Sequence, residues 1–382
     1  MEPGELVGTL RANESHALII GASGTGKTTL IKGMIAAKPD ERILVIDYLG
    51  NYRGYTKYYG PFPINPLEFI RPDDMIDVIT QAIKATYADM DNPWTPAQQL
   101  IILNCFSDKQ PEGTRGKSSW YPAHSIPEII KCVSEFEYSS LDDENARKAV
   151  LRRIKQFNNL LWATRTHGLL KAWLLGGLNG SIGIDLSGVS LPEAIAYVYA
   201  LLAIVARGRV VKPSIIVVDE AHYFMRIEGS LFEEAVRVAR NLGINIIAIT
   251  QGFSDVEDRR SLLELFKTFI IFPTVPMLYG NGSRMLFDIK PTTFTEPHVG
   301  LVVILATNAE FHRRFLPPNA RSGPVLSTTI KVEPGRLRPL GNALVVSGVR
   351  VGLPAYEGGR VRDYIARNIT PLIQAEAGVM VQ

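Results

Sequence analysis

Eight consecutive residues near the start of the chain have the types and the spacing that bind a phosphate. They read Gly21-Ala22-Ser23-Gly24-Thr25-Gly26-Lys27-Thr28 and fit the pattern G-x-x-x-x-G-K-[ST]. An apolar run, 17–20, precedes them and a helix-compatible run, 29–37, follows them, which is the strand–loop–helix context of a P-loop. The alternative is a Gly-rich turn without a ligand, but this context favours binding of a nucleoside triphosphate.

Each part of this motif has a physical role in holding the phosphates. The glycines let successive backbone N–H groups and the helix N-terminus face a phosphate. Lys27 can reach the outer phosphates, and the Thr28 hydroxyl is a ligand for Mg²⁺. We expect ATP and Mg²⁺ as cofactors. The predicted nucleotide-binding residues are Gly21, Ser23, Gly24, Thr25, Gly26, Lys27, Thr28 and Thr29.

A second motif predicts hydrolysis as well as binding. The aliphatic run 214–218 ends in Asp219-Glu220, which is the Walker B arrangement when it follows a P-loop. Asp219 would hold Mg²⁺ through water, and Glu220 would polarise the water that attacks the γ-phosphate. A strand-end Asp-Glu pair can also be a simple cap. Together with the P-loop, however, the pair indicates an ATPase with Asp219 and Thr28 as metal ligands.

Three further side chains are candidates for the chemistry. Gln251 ends another predicted strand, 244–251, with an amide that both donates and accepts, as a γ-phosphate sensor requires. Arg237 and Arg240 precede that strand on an amphipathic helix. A guanidinium there could stabilise transition-state charge in the same subunit or across an interface, whereas arginines exposed on helices are also common without a function.

The order of apolar runs predicts an α/β fold with a helical insertion. Strand-like and helix-like segments alternate around the P-loop, and run 42–47 ends in Asp47, which either contacts the Mg²⁺ water shell or caps a turn. Segment 51–60 mixes tyrosines with basic residues, which favours a loop packed on the sheet edge over a base-stacking surface. Four helical patterns follow, the last over 142–162 with basic residues between its apolar positions.

These patterns divide the chain into three predicted parts. The core comprises residues 1–67 and 166–320, the all-helical insertion 68–165, and a basic C-terminal extension 321–382. The extension contains two predicted strands, 325–332 and 343–351, and a helical pattern over 360–375. From Phe311 onward there are ten basic and four acidic residues, although the net charge of the whole chain is only +3. Such clustering suits a phosphate backbone, and it equally suits a solvated basic surface.

Composition excludes several other classes of protein. With 382 residues, 46% of them hydrophobic, the chain can form a substantial globular core. Cys105 and Cys132 are far apart in sequence and form no C-x-x-C pair, so neither a disulfide framework nor a zinc site is predicted, and a reducing compartment is expected. The longest uncharged apolar run, 194–206, is too short to span a bilayer. We expect a cytoplasmic protein that can be peripheral at a membrane complex.

The motifs together resemble the HerA/FtsK superfamily of P-loop ATPases. The resemblance covers roughly residues 4–317 and is carried by 21–28, 64–67, 217–222 and 238–251. The Asn65-Pro66-Leu67 tripeptide and the helix opening at 94–98 resemble most the HerA and VirB4/TraC branch, which includes conjugation and DNA-transfer ATPases. The resemblance implies a RecA-like core, a hexameric ring with ATP between subunits, DNA in the pore, and Arg240 as the arginine finger.

Two departures from the family pattern qualify this resemblance. Gly21 lies too early for the N-terminal β-barrel of HerA proteins or the long N-terminal domain of VirB4 proteins. This favours a compact stand-alone motor, for instance from a virus or mobile element, or an excised ATPase domain. The family's Asp-x-x-Gly-Glu-Tyr reads Asp47 to Tyr52 here, with Asn51 in place of the glutamate.

The resulting hypothesis is an ATP-hydrolysing hexamer that translocates DNA in transfer, processing or packaging, with the strand preference open. Its partners would be DNA, further copies of the chain, and a membrane channel, nuclease or capsid protein. One alternative is a VirB4-like ATPase that powers pilus assembly or secretion. Another is a monomeric kinase or switch, which the pair Asp219-Glu220 and Gln251 argue against. An ABC-type ATPase is disfavoured because 186–189 does not complete the L-S-G-G-Q signature.

Overall fold

We analysed the protein as a computed structural model. It describes residues 1–87, 92–106, 125–137, 140–157, 163–252, 255–256, 260–273, 298–305, 325–340 and 344–345. The helical pattern over 360–375 lies outside these residues, as does most of the predicted strand 343–351.

Ten strands form one sheet within the described residues. They are β1 (His16–Ile20), β2 (Ile43–Asp47), β3 (Tyr58–Gly60), β4 (Ile182–Asp185), β5 (Ile215–Val218), β6 (Asn245–Thr250), β7 (Phe266–Ile271), β8 (Val299–Leu305), β9 (Val325–Lys331) and β10 (Leu344–Val345). Their order across the sheet is β10-β3-β4-β2-β5-β6-β1-β7-β8-β9. In this order, the seven neighbouring strands that begin with β3 and end with β7 are parallel, and β10 joins the edge parallel to β3. At the other edge β8 pairs antiparallel with β7, and β9 pairs antiparallel with β8. This is the α/β, RecA-like arrangement that the sequence predicts.

Ten α-helices accompany the sheet in the described part of the chain. They are α1 (Pro3–Ala12), α2 (Lys27–Ala37), α3 (Pro72–Thr86), α4 (Pro96–Phe106), α5 (Ile126–Glu135), α6 (Leu141–Ile154), α7 (Gly168–Leu174), α8 (Leu191–Arg207), α9 (Leu231–Ala239) and α10 (Arg260–Leu263). Helix α6 ends at Ile154, eight residues before the predicted end at Trp162; residues 155–157 are not helical, and 158–162 are outside the described residues. No described helix combines the length and the apolar character needed to cross a bilayer.

The sheet is covered on both faces because its strands are apolar on both sides. Alternate residues of one strand enter different cores: Leu18 and Ile20 pack with α3 and α8, whereas Ala17 and Ile19 pack with α1 and α2. This burial on both sides is why the parallel strands read as continuous aliphatic runs rather than alternating ones. Because these strands are parallel, they all end at the same edge of the sheet. The predicted site residues follow the strands at this edge.

The helices α3 to α6 follow β3, so they are inserted after the third strand rather than after the second as expected. Helix α3 packs on α8 beside the sheet, while α4, α5 and α6 pack on one another. The division into a core, a helical insertion and an extension stays a prediction. Strands β9 and β10, which fall in the predicted extension, pair with β8 and β3 of the same sheet.

The tyrosine-rich segment packs inward. Tyr52, Tyr58 and Tyr59 are buried, and Tyr58 and Tyr59 belong to β3 itself. The ammonium of Lys32 lies 4.2 Å from the ring centre of Tyr55. Most of these rings are therefore unavailable for stacking on bases, in line with the packed interpretation of this segment.

The prediction that the cysteines form no disulfide is wrong. Cys105 in α4 and Cys132 in α5 are joined by a disulfide, with 5.7 Å between their Cα atoms. The two residues are 27 apart in sequence, and only the packing of the two helices brings them together. The expectation of a reducing compartment was based on unpaired cysteines, and the disulfide removes that basis.

We expect this disulfide to stabilise the helical region. Closing a loop of this length constrains the unfolded chain by about 3–4 kcal/mol in the chain-entropy description. A reductant should therefore lower the melting temperature of the oxidised protein, measured by circular dichroism. The double variant Cys105→Ser/Cys132→Ser is the control, because its melting temperature should not respond to the reductant. Equal melting of the unsubstituted protein in both conditions would contradict the expectation.

Candidate nucleotide-hydrolysis site

The P-loop forms a curled turn between β1 and α2. Gly24 and Gly26 have positive φ values of 76° and 115°, which only glycine adopts readily. The Thr25 hydroxyl donates to the Ala22 carbonyl at 2.7 Å, and Lys27 Nζ donates to the carbonyls of Gly21 and Ala22, the latter at 2.9 Å. These bonds hold the lysine ammonium inside the turn. Burial lowers the pKa of Lys27, although the carboxylates of Glu220, Asp219 and Asp255 act in the opposite direction.

The remaining P-loop residues lie where the motif predicts. Ser23 and Gly24 are exposed at the tip of the turn, and Thr28 and Thr29 are half-buried in the first turn of α2. The loop and the N-terminus of α2 thus form a cradle of backbone N–H groups of the kind that binds phosphate.

Residues from beyond β7 brace the back of the P-loop. The Pro273 carbonyl accepts from Ala22 N at 2.9 Å, and His298 N donates to the Thr25 carbonyl at 2.9 Å. A Cβ atom added at Gly26 would lie 2.9 Å from Val332 Cγ2 and 3.1 Å from His298 Nδ1. Glycine is therefore required at this position for close approach as well as for its φ angle. Neither His298 nor Val332 is part of a motif that predicts contact with the P-loop.

His298 has a left-handed backbone, with φ of 66°, and we expect this to be measurable in stability. His298→Gly relieves the strain, whereas His298→Ala retains it, and both remove the imidazole. Because a left-handed conformation costs a residue with a Cβ roughly 1 kcal/mol relative to glycine, the glycine variant should be the more stable of the two. Urea unfolding of both variants is the measurement. An alanine variant as stable as the glycine variant would show that the turn relaxes.

The acidic pair follows β5 at the same edge of the sheet. Asp219 and Glu220 are both buried, and Glu220 has a positive φ of 51°. The pKa of Asp219 is raised to about 6, chiefly by burial and further by the charges of Glu220 and Asp47, although Asn51 and Glu220 N donate to it. A carboxylate that is costly to ionise in isolation is suited to a position beside a cation.

Glu220 and Gln251 are joined directly. Gln251 Nε2 donates to Glu220 Oε1 at 2.9 Å, whereas Glu220 Oε2 is buried and accepts no hydrogen bond. His222 Nδ1 lies 3.4 Å from that second oxygen. Since buried polar atoms are nearly always paired, the unpaired oxygen marks a place where a donor such as water is expected to bind.

Asp255 organises the turn that carries Gln251. Its Oδ2 accepts from Gln251 N at 3.2 Å, from Gly252 N at 3.1 Å and from the Thr250 hydroxyl. A single carboxylate thus fixes the end of β6 and the start of the following loop. Asp255 is not among the residues predicted from sequence, because it lies four positions beyond Gln251 in a segment without a regular pattern.

Asp47 is a turn cap. Its carboxylate accepts from Asn51 N at 2.9 Å, from Tyr52 N at 2.8 Å and from the Tyr59 hydroxyl at 2.7 Å. This decides between the two interpretations of Asp47. Asn51 Nδ2 in turn donates a hydrogen bond to Asp219 Oδ2 at 3.4 Å. An ionised glutamate in place of Asn51 has no N–H and could not make that bond.

The two arginines do not lie at this edge of the sheet. Arg237 pairs with Glu233 one turn away on α9. Arg240 is exposed and contributes to lowering the pKa of His16 to about 4, after the larger effect of burial. His16 begins β1, whereas the P-loop follows its last residue, Ile20. Arg240 therefore lies at the opposite end of β1 from the P-loop of its own chain.

A family comparison covers the P-loop part of this site. The family model for the central domain of the helicase HerA matches residues 9–205, slightly more than half of the chain. The chain belongs to this HerA family. The matched region includes the P-loop and ends before Asp219. No curated protein matches the chain in sequence.

Solved structures share the fold of this HerA-family protein. The bacterial conjugative coupling protein TrwBΔN70 is 14% identical, with a TM-score of 0.60 over 87% of this chain and 89% of that chain. TrwB in complex with ADP and Mg²⁺ is also 14% identical, with a TM-score of 0.59 over 87% and 89%. VirB4 of Thermoanaerobacter pseudethanolicus is 14% identical, with a TM-score of 0.54 over 83% and 89%. At this identity the likeness establishes a common P-loop fold.

The residues of the HerA-family chain fit a magnesium nucleotide. The P-loop offers backbone donors and a lysine, Thr28 offers a hydroxyl, and Asp219 offers a carboxylate. Mg²⁺ typically takes one or two protein oxygens together with phosphates and water, so two protein ligands suffice. Glu220 Oε2, which is buried and accepts no hydrogen bond, leaves an acceptor for a water molecule of such a site.

The structure thus brings the P-loop, Asp219, Glu220 and Gln251 to one edge and places Arg237 and Arg240 elsewhere. It adds Asp255, which holds the backbone of Gln251, and Asn51, which contacts Asp219. For Asn51 the sequence did carry a signal, since it replaces a family glutamate. For Asp255 we find none.

Proposed function

We propose that the chain is a Mg²⁺-dependent ATPase that assembles as a hexameric ring and translocates DNA. The observation that carries hydrolysis is the pairing of Glu220 Oε1 with Gln251, which leaves Glu220 Oε2 buried and without a hydrogen bond. That oxygen is the acceptor a general base needs for the proton of an attacking water. The same edge holds the phosphate cradle, and the negative charge of Glu220 acts on Lys27 in that cradle by raising its pKa.

Each residue has a distinct role in the proposed reaction. Bound Mg²⁺ would draw charge from the phosphate oxygens; Thr28 and Asp219 would hold it. Lys27 and the loop N–H groups bind and orient the phosphates, which is most of what phosphoryl transfer requires of a protein. Glu220 accepts a proton at Oε2, Gln251 fixes the carboxylate through Oε1, and the Gln251 amide would register the γ-phosphate.

The proposal of a ring rests on Arg240. Because Arg240 lies at the far end of β1 from its own P-loop, it can complete only the site of another copy of the chain. A ring supplies every P-loop with such a neighbour. The hexameric number comes from the resemblance to HerA/FtsK proteins.

Membership of the HerA helicase family supports DNA as the substrate. The structural relatives add to this, since one is named a conjugative coupling protein. The excess of basic residues from Phe311 onward is consistent with phosphate contacts. An ATPase of the VirB4 kind, driving pilus assembly or secretion, is the alternative that the likeness to VirB4 keeps open.

The ATPase rate with and without single- and double-stranded DNA, at low and moderate salt, tests the proposal. Stimulation by either DNA that weakens with salt is expected, because counterion release makes backbone contacts salt-sensitive. An active oligomer whose rate DNA does not change would overturn DNA translocation and favour the secretion motor. A protein that stays monomeric with ATP would overturn the ring.

A further inference from the structure

A groove on helix α6 combines positive charge with an unpaired hydrogen-bond donor. Its volume is about 500 Å³, and the described residues that line it are Lys148, Leu151, Arg152, Lys155 and Gln156. Three of these five residues are cations and none is acidic. In sequence, the groove lies in the helical region between β3 and β4. None of its residues takes part in the proposed hydrolysis.

The basic residues of this helical region divide into two groups according to their contacts. Arg147 donates to the Ser134 carbonyl at 2.9 Å, and Arg153 donates to Gln98 Oε1 at 2.7 Å and lies 5.4 Å from the ring centre of Trp94. These two arginines hold α6 to its neighbours and do not line the groove. Their charge is accounted for by packing within the fold.

The groove cations lack such partners. The side chains of Arg152 and Lys155 are exposed and make no hydrogen bond or ion pair with the part of the chain that the structure describes. Arg152 also lowers the pKa of Arg153 through like-charge repulsion, after the larger effect of burial. Lys148 has one partner, Glu144, at 2.6 Å on the solvent side. Two positive charges that no residue of the described ranges neutralises are suited to an anionic ligand.

Gln156 supplies an independent observation. Its Oε1 accepts from the Tyr87 hydroxyl at 2.9 Å, which fixes the orientation of the amide. Its Nε2 is buried and has no hydrogen-bond partner. A buried donor of this kind is usually paired, so its position among cations indicates an acceptor-rich ligand or a water held by one.

The shape of the site fits a run of backbone phosphates. From Lys148 to Ile154, the last residue of α6, the helix rises by about 9 Å at 1.5 Å per residue, and Lys155 follows directly. Phosphates of one DNA strand are spaced about 3.4 Å apart along the duplex axis, so this length spans roughly three of them. Membrane-binding helices present a broad apolar face, whereas the groove contributes only Leu151, which is half-buried.

We propose that this α6 groove binds the phosphate backbone of DNA through Arg152, Lys155 and Lys148. The inference rests on the proposed function and adds to it a contact surface on the helical region. The contact is independent of base sequence, because phosphates carry no sequence information directly. It gives the motor a DNA contact on the helical region, in addition to the pore expected of a ring.

The test is the charge-reversal variant R152E/K155E, with the full-length protein and fluorescent DNA of each strand type. Each lost phosphate contact should weaken binding on the order of tenfold at 0.1 M salt and reduce the salt dependence by about one ion per contact. The control K38E/R209E makes the same change in net charge at exposed positions outside the groove. The DNA-independent ATPase rate should be unchanged in both variants, which also shows that they are folded.

The outcomes separate this inference from the proposed function. If R152E/K155E binds DNA with the affinity and salt dependence of the unsubstituted protein, the groove proposal is overturned and translocation stands. If both double variants weaken binding equally, net charge alone accounts for the effect and the groove proposal is overturned. If the unsubstituted protein binds no DNA, both proposals fail. Loss of binding to phosphatidylserine vesicles with retained DNA binding would replace DNA by a membrane surface.

Discussion

Glu220→Gln is expected to lower ATP hydrolysis by roughly two to four orders of magnitude while leaving nucleotide binding intact. The amide keeps an oxygen that can accept from Gln251 Nε2, so the hydrogen bond seen at 2.9 Å can persist and the turn after β5 is preserved. What is lost is the basic oxygen: an amide does not accept a proton near neutral pH. The measurement is the single-turnover hydrolysis rate together with nucleotide affinity by calorimetry.

The control for this substitution is Glu41→Gln. Glu41 is a partly buried carboxylate that pairs with Arg11 just before β2, at the opposite edge of the sheet. The loss of charge is the same, but no catalytic oxygen is removed, and hydrolysis should stay within about twofold. If Glu220→Gln hydrolyses ATP at the unsubstituted rate, Glu220 is not the base. If it fails to bind nucleotide, Glu220 has a structural role in the phosphate site.

The parts of the site that could be predicted from sequence are those set by neighbours in the chain. The P-loop is a contiguous motif, and Asp219, Glu220 and Gln251 each end an aliphatic run, so the parallel sheet brings them to one edge. The same logic placed Asp47 correctly but left its role open. Only the contacts with Asn51, Tyr52 and Tyr59 show that its carboxylate accepts from the backbone of the following turn and from a tyrosine of β3.

The features that sequence did not reveal depend on contacts between distant segments. Cys105 meets Cys132 because two helices pack together, and His298 meets Gly26 because β8 starts beside the P-loop. Neither pairing has a signature in local spacing. Helix α6 shows a related limit: its apolar period continues to Leu161, but the helix ends at Ile154. Periodicity thus predicts the existence of a helix better than its end.

Arg240→Ala is expected to reduce hydrolysis by about three orders of magnitude if the residue acts as an arginine finger on a neighbouring copy. The physical reason is the loss of a guanidinium that stabilises charge on the transferring phosphoryl group. Arg237→Ala is the matched control, because Arg237 lies three residues before Arg240, in the last turn of α9, but is paired with Glu233. That variant should retain most of the activity.

Mixing two inactive variants distinguishes action in the same subunit from action across an interface. A ring formed from Arg240→Ala and Glu220→Gln subunits contains interfaces at which an intact Glu220 meets an intact Arg240 of the next subunit. Activity should therefore rise above that of either variant alone when the two are mixed. Arg240 lies at the far end of β1 from its own P-loop, so the same subunit cannot supply this combination. Mixtures that remain inactive, although they form mixed oligomers, would exclude Arg240 as a finger acting between subunits.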